Sequence, residues 1–397
     1  MTSRIGIKKT KGRKGHKRPK EQKINPQFLS LLGSTNVIFW GFLEITIGRY
    51  MAHFFTEPPK KIIVRMPNWL GDLVMATPIL ADLRHHFPHA EITAMCQSNV
   101  AGLLTHDPHI DEVYSYKRPS GWIHRPEHWN IIQEIRKGEY DLGILLTNSF
   151  SSAWWFWRGK VKHRLGFAGN VRSWLLSTAV PFPKNLQKQH LVLTYKALLT
   201  PLGIAQSNTA PCLYISDEEN NEALELLKLQ NFDPEKHRLV GINPGAAYGS
   251  AKCWLPERFV EVSRKLLEDP SVRIVYFGDN AGAPLVQSIC DQLPQDKVLN
   301  LAGKTTLRQL MALINLVKVF LTNDSGPMHI ASALGRPLVA LFGSTSDVKT
   351  GPYSDGTVIH KHVECSPCYK RTCPIDFRCM KRIEVDEVYE TIRKLFS

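Results

Sequence analysis

VFLTNDSGPMH, residues 319–329, decides how this chain folds. Val319, Phe320, Leu321 and Thr322 form an apolar run suited to a buried strand, Asn323, Asp324, Ser325 and Gly326 a polar turn, and Pro327 opens a helix running to about Leu334. Proline is preorganised for the first helical turn, and glycine lets the backbone approach a ligand. The first amides of such a helix have no internal partner and the helix dipole is positive there, so a phosphate or pyrophosphate is the natural occupant. Plain capping chemistry in any α/β domain has the same local sequence, so both readings stand at this point.

Outward from this stretch the alternation repeats. Residues 239–243 (LVGIN), 273–277 (RIVYF) and 298–301 read as strands, with helices over 255–267, 283–293 and 307–315, and residues 337–342 (PLVALF) close the series. In the first half the strands are 61–65 (KIIVR), 91–94, about 110–114 and 141–146 (DLGILL). MPNWLGDLVMATPIL, residues 66–80, is a turn and a helix in which Pro78 is expected to kink or end the first segment. Residues 199–214 lose periodicity and gain Pro201, Gly203 and Pro211, which marks a linker; a helix over 217–230 follows, with Ser216 as its cap. Strands alternating with helices imply parallel sheets covered on both faces. The predicted fold is α/β: two Rossmann-like parallel-sheet domains facing a cleft, over residues 58–205 and 206–382. A basic, partly apolar extension (1–57) precedes them and a C-terminal helix (383–397) follows.

The 397 residues, 43% hydrophobic and 22% charged, suffice for two sizeable cores. The formal charge of +14 is concentrated, because residues 1–24 hold ten Lys/Arg against one acid, Glu21, leaving +5 for the rest. A mildly basic folded part argues against a nucleic-acid partner. The arm lacks a secretory cleavage pattern, and residues 29–47 carry too many polar groups, Glu44 among them, for a bilayer span. A polybasic arm followed by Phe39, Trp40, Phe42 and Leu43 suits either a membrane-surface anchor or an extension with no specific role.

Each half offers a polar loop where a strand meets a helix. In the first, Asn68, Trp69, Leu70 and Gly71 precede Asp72, the lone carboxylate of an apolar helix start. Asp72 serves either as a cap or, its pKa raised by partial burial, as a general base. In the second, PGAAYGSAKCW brings Ser250 and Lys252 beside Gly245 and Gly249, without Walker or GxGxxG spacing. Lys252 is either a solvated loop residue or a point charge on a phosphate. No DxD motif occurs, so a departing diphosphate leans on Lys252 and the amides after Asp324. His329 is placed either at the pyrophosphate or in helix packing; Asn243 and Asn323 are candidates for orienting the loops, and Ser344 and Thr345 for ligand contact. Trp154, Trp155, Phe156 and Trp157, followed by Arg158, Lys160, Lys162, His163 and Arg164, read as core with a cationic rim or as an acceptor groove.

Together these segments resemble glycosyltransferase family 9, the ADP-heptose:lipopolysaccharide heptosyltransferases, and most of all its type II members. The resemblance rests on RMPNWLGDLVMATPIL (65–80), LLTNSFSSAW (145–154), RLGF (164–167), INPGAAYGSAKCW with LPERF (242–259) and TNDSGPMHIASALGRPLVALFGST (322–345), in the family's order, and covers most of residues 60–382. It implies a GT-B architecture with the acceptor on the first domain and the nucleotide sugar on the second. It implies inverting, metal-independent transfer of the second heptose from ADP-heptose to the lipopolysaccharide inner core, with no cofactor required for catalysis. The family's base falls on Asp72 and its phosphate-binding lysine on Lys252. Donor contacts are expected from Gly245, Ser250, Lys252, Asp324, Ser325, Gly326, Met328 and His329, and acceptor contacts from Asn68, Gly71, Asn148, Ser149, Arg158 and Arg164. Asp324, acidic beside a pyrophosphate, is expected to organise the turn amides. The implied partners are ADP-heptose, a lipid A–inner core acceptor and the cytoplasmic surface of the inner membrane, for a cytoplasmic, peripheral protein. The alternatives are a type I or type III acceptor, or a non-catalytic nucleotide-binding module working through its basic arm.

Cys96, Cys212, Cys253 and Cys290 are scattered singly, as suits reduced core thiols. Cys365, Cys368, Cys373 and Cys379 have the spacing C-x2-C-x4-C-x5-C, which fits either a structural four-thiolate zinc site or free or locally paired thiols.

Overall fold

The computed structural model describes residues 3–6, 57–120, 125–184 and 188–396. Its strands are β1 (Ser3–Gly6), β2 (Lys61–Arg65), β3 (Glu91–Gln97), β4 (Glu112–Tyr116), β5 (Leu142–Leu145), β6 (His163–Phe167), β7 (Thr178–Val180), β8 (Arg238–Asn243), β9 (Val272–Tyr276), β10 (Val298–Asn300), β11 (Val319–Asn323), β12 (Leu338–Phe342) and β13 (Thr357–His360). They form two sheets, ordered β1-β4-β3-β2-β5-β6-β7 and β10-β9-β8-β11-β12-β13. Every neighbouring pair is parallel except β1, which runs antiparallel to β4 at the edge. Parallel strands are covered on both faces and so read as continuous apolar runs. β11 and β12 are buried at every residue.

In each half the first parallel strand is central. β2 pairs with β3 on one side and β5 on the other; β8 pairs with β9 and β11. The crevice at such a reversal of strand order, at the carboxyl ends, is where open α/β sheets take ligands. The loops 66–69, 146–149, 244–249 and 324–325 all leave the sheets there.

Several sequence expectations need correction. Pro78 does not end its helix, which runs unbroken over Leu70–His86. Proline cannot donate to the carbonyl four residues back, but the Thr77 hydroxyl donates to that carbonyl, Val74 O, at 2.9 Å. PLVALF does not close the second sheet, because β13 follows it. β6 and β7 were also missed; they are short and carry polar residues. The C-terminal helix Val385–Lys394 buries Val388 and Ile392 in the second core and is part of that half.

The linker is clamped rather than loose. Buried Lys196 donates from Nζ to Ser207 O, Ser207 Oγ and Thr209 O, while Asp82 Oδ1 accepts from the hydroxyls of Ser207 and Thr209. The following helix, Asp217–Leu229, starts at a capping box of Ser216 and Glu219. Glu219 also takes the Arg308 guanidinium, whose hydrogen bond is the largest cause lowering its pKa to about 2. Arg308 reaches the first half as well, donating to Gly102 O at 3.1 Å. Among the described residues no helix is long and apolar enough to cross a membrane. The rest of the extension, with the basic run and the apolar segment 29–47, lies outside the described residues.

Candidate active site

The helix Gly326–Ala333 follows β11 after the two-residue turn of Asp324 and Ser325, as residues 319–329 predict. Ser325 occupies the cap position without a side-chain cap hydrogen bond. Its hydroxyl is engaged instead by Thr322 Oγ1 (3.0 Å) and Asn243 Nδ2 (3.3 Å). The helix start is therefore not closed by its own side chain, which suits an anion. Asn243 Nδ2 also donates to Gly245 O, and Asn323 donates to Pro244 O while accepting from Trp254 N. These two asparagines fasten the Gly-rich loop to the Asp-Ser-Gly turn.

Lys252 projects from that loop. Its Nζ donates to Asp324 Oδ2 at 2.5 Å and lies 4.9 Å above the Tyr248 ring. Thr345 Oγ1 donates to the same carboxylate oxygen. Asp324 thus holds a lysine and a threonine, where the sequence suggested turn amides. Gly249 is required: its φ is +151°, and a Cβ there would stand 2.3 Å from Arg371 O. Ala251 N donates to that same carbonyl and Tyr248 OH to Tyr369 O, so the Cys-rich segment backs the lysine loop. Gly245 has open space above its Cα, and Ser250 is exposed.

Asp72 lies in the first turn of Leu70–His86, whose cap position is Trp69, so it is not the N-cap. Burial pushes its pKa up to about 6; Asp324 adds to the rise, while Lys252 and Lys349 oppose it. Three of these four influences come from the second half, so the two loops share one electrostatic site. Tyr195, which the sequence reading missed, is buried beside Asp72 with its phenol raised well above its usual range, by burial and then by the Asp72 charge. His190, also missed, joins the halves: Nδ1 accepts from Val192 N, leaving Nε2 to donate to Gly351 O at 2.9 Å.

The two helix starts touch. A Cβ on Gly71 would meet His329 Cδ2 at 2.6 Å, and one on Gly326 would meet Leu70 Cδ2 at 2.8 Å. The space above Gly71, expected to face an acceptor, is filled by the His329 ring. His329 is 6% exposed, and burial lowers its pKa to about 4, so the ring is neutral. The Met328 side chain is wholly in the core, which leaves only its amide for a donor.

The expected acceptor residues also hold the surrounding loops together. Asn68 Oδ1 accepts from Arg65 and Gln97. Ser149 caps Phe150–Arg158 by accepting from Ser152 N. Asn148 Oδ1 accepts from Arg172, a wholly buried arginine that also donates to Thr147 O and Phe167 O. Burial lowers the Arg172 pKa to about 10. Nothing in its sequence context, GNVRSW, marks it. Arg164 spends its donors on Leu175 O, Val161 O and Lys162 O, and Arg158 lies over the rings of Trp129 and Trp157. Trp154, Trp155 and Phe156 are core; Trp157 is partly exposed. Besides Trp157, the exposed large apolar groups among the described residues of this half are Trp69 (61%), Val171, Trp174 (65%) and Phe182, in the segments after β2, β6 and β7.

The four clustered cysteines lie near one another without forming a closed set of ligands. All are free, and no three of them bring their Sγ atoms within 4.8 Å; the one described set of three that does meet is Asp347, His360 and His362. Cys365 is exposed and Cys379 buried, and the Cys379 thiol, raised first by burial, also feels Cys365, Cys373 and Cys368.

The model of glycosyltransferase family 9 (heptosyltransferase) matches residues 128–377. The chain belongs to that family. It is 31% identical over 303 residues to lipopolysaccharide heptosyltransferase 2 of Escherichia coli K12, covering 74% of this chain and 86% of that one. It is 29% identical over 351 residues to lipooligosaccharide heptosyltransferase 2 of Campylobacter jejuni, covering 84% and 99%. A solved structure of E. coli ADP-heptose LPS heptosyltransferase II superimposes with a TM-score of 0.72 at 29% identity, covering 85% of this chain and 98% of that one. The two facing Rossmann-like halves of this family 9 glycosyltransferase are the GT-B arrangement.

Proposed function

We propose that this glycosyltransferase transfers heptose from ADP-heptose to a lipopolysaccharide inner core already carrying one heptose, with inversion and without a metal. The observation that carries the reading is the placement of Asp72, with its raised pKa, opposite Lys252 and the start of Gly326–Ala333. The relatives' names supply the substrate class.

In this reading residues 58–205 take the acceptor and residues 206–382 the nucleotide sugar. Asp72 accepts the proton of the acceptor hydroxyl as its oxygen bonds to the anomeric carbon. The bond from that carbon to the diphosphate oxygen breaks, and ADP leaves with the electron pair. Lys252 and the amides of Gly326 and Met328 neutralise the charge gathering on the diphosphate, in a site whose groups are held before the substrate arrives. A carboxylate of pKa about 6 is ionised at neutral pH and more basic than an ordinary aspartate. Exposed Trp69 and Trp174 offer aromatic faces to an amphipathic, lipid-linked acceptor. That acceptor places the protein at the cytoplasmic face of the inner membrane.

The test is product analysis with ADP-heptose and defined core acceptors, on wild type and Asp72→Asn. Transfer only to the mono-heptosylated acceptor, lost in the variant, is expected; transfer only to an acceptor lacking heptose would assign a type I activity instead.

A further inference from the structure

At the end of β13, His360 and His362 face Asp347, the first residue of the short helix Asp347–Thr350. His360 Nδ1 stands 3.1 Å from Asp347 Oδ1, and His362 Nε2 stands 3.5 Å from Oδ2. One donor atom from each residue lies within 4.8 Å of the other two. Donor atoms around a tetrahedral ion with bonds of about 2.0–2.1 Å lie roughly 3.3 Å apart, so these spacings suit a shared ion.

The hydrogen bonds around His360 sharpen this. Ser366 Oγ donates its proton to Gly343 O, so toward His360 Nε2, 2.8 Å away, it accepts. Nε2 therefore carries the hydrogen, and in the neutral ring Nδ1 carries a lone pair. The His360 side chain is 2% exposed, and its Nδ1 is buried without a hydrogen-bond partner, since Asp347 is near but off the line of an N–H···O bond. The buried Nδ1, 3.1 Å from a carboxylate oxygen and without an aligned hydrogen bond, is open to a cation shared by the two groups. The Ser366–Gly343 relay is the outer support that ligating histidines typically have.

We propose that Asp347, His360 and His362 bind one divalent transition-metal ion of the zinc class, separate from the transfer centre. The ion fastens β13 to the segment that carries Lys349, which acts on Asp72, and Gly351, which accepts from His190 of the first half. It thereby stiffens the joint between the halves.

The experiment uses the full chain without a histidine tag, titrated with zinc or cobalt(II) chloride alone and followed by equilibrium dialysis with elemental analysis. Wild type is expected to bind one equivalent. His362→Ala, which alters the most exposed ligand, and Asp347→Asn, which keeps the side-chain size, should each weaken binding tenfold or more. The double variant Cys365→Ser/Cys368→Ser should bind as wild type, and the cobalt form should lack a thiolate charge-transfer band. Failure of wild type to bind, unchanged affinity in both ligand variants, or loss of binding in the cysteine variant would each overturn the assignment.

Discussion

Lys252 Nζ lies 2.5 Å from Asp324 Oδ2, tying the Gly-rich loop to the turn after β11 before any diphosphate arrives. A charge fixed in advance stabilises a transition state without reorganising during the step. Lys252→Ala should therefore lower kcat by about a hundredfold or more, the usual cost of losing one such donor. Lys252→Arg should recover little, since a planar fork does not replace a point ammonium between Asp324 and Tyr248. Initial rates of ADP release at saturating substrates check both; near wild-type turnover in Lys252→Ala would remove the lysine from the mechanism.

Asp72 links activity and stability in opposite senses. With its pKa at about 6, kcat/KM should climb with pH and level off above that value as the base form fills. Its folded pKa is raised above the ordinary 3.8, so the folded state holds the proton more tightly, and stability falls as pH rises from about 4 to 6. At neutral pH the ionised group costs roughly 1–3 kcal/mol. Asp72→Asn should thus raise the melting temperature at pH 7.5 while abolishing transfer, and the gain should vanish near pH 4. Thermal scans at both pH values decide it.

The contact between Gly71 and His329 predicts a suppressor. Gly71→Ala drives a methyl toward a buried ring and should cost about 1–3 kcal/mol. Adding His329→Ala opens the space, so the double variant should be more stable than the sum of the two single effects. Additive losses in denaturant titrations would show that the ring does not press on Gly71.

Thr77 and Pro78 form another pair. Thr77→Val leaves the buried Val74 carbonyl and the Cys212 amide without the hydroxyl, at a cost of about 1–3 kcal/mol. Pro78→Ala restores a backbone donor to Val74 and should offset part of that loss. A Pro78→Ala change that fails to improve Thr77→Val in urea unfolding would refute the account.

Much of the site was legible because its signals are local. The strand, turn and proline of residues 319–329, the lone Asp72 and the lysine after two glycines each announce themselves within a few residues. Arg172, His190 and Tyr195 were not legible, because their roles depend on partners brought up by folding: Asn148 for Arg172, Gly351 for His190 and Asp72 for Tyr195. The internal partners of the expected acceptor residues were hidden for the same reason. Ser149 bonds Ser151 and Ser152 at the start of its own helix, and Arg164 bonds backbone carbonyls around it.

The sequence by itself determined the two parallel sheets and the turn after β11, since burial on both faces demands apolar runs and a helix start demands glycine and proline. Only the tertiary structure decided what Asp72, Gly71 and His329 do. Helices from opposite halves meet there, and burial, not residue type, raises the Asp72 pKa and keeps His329 neutral.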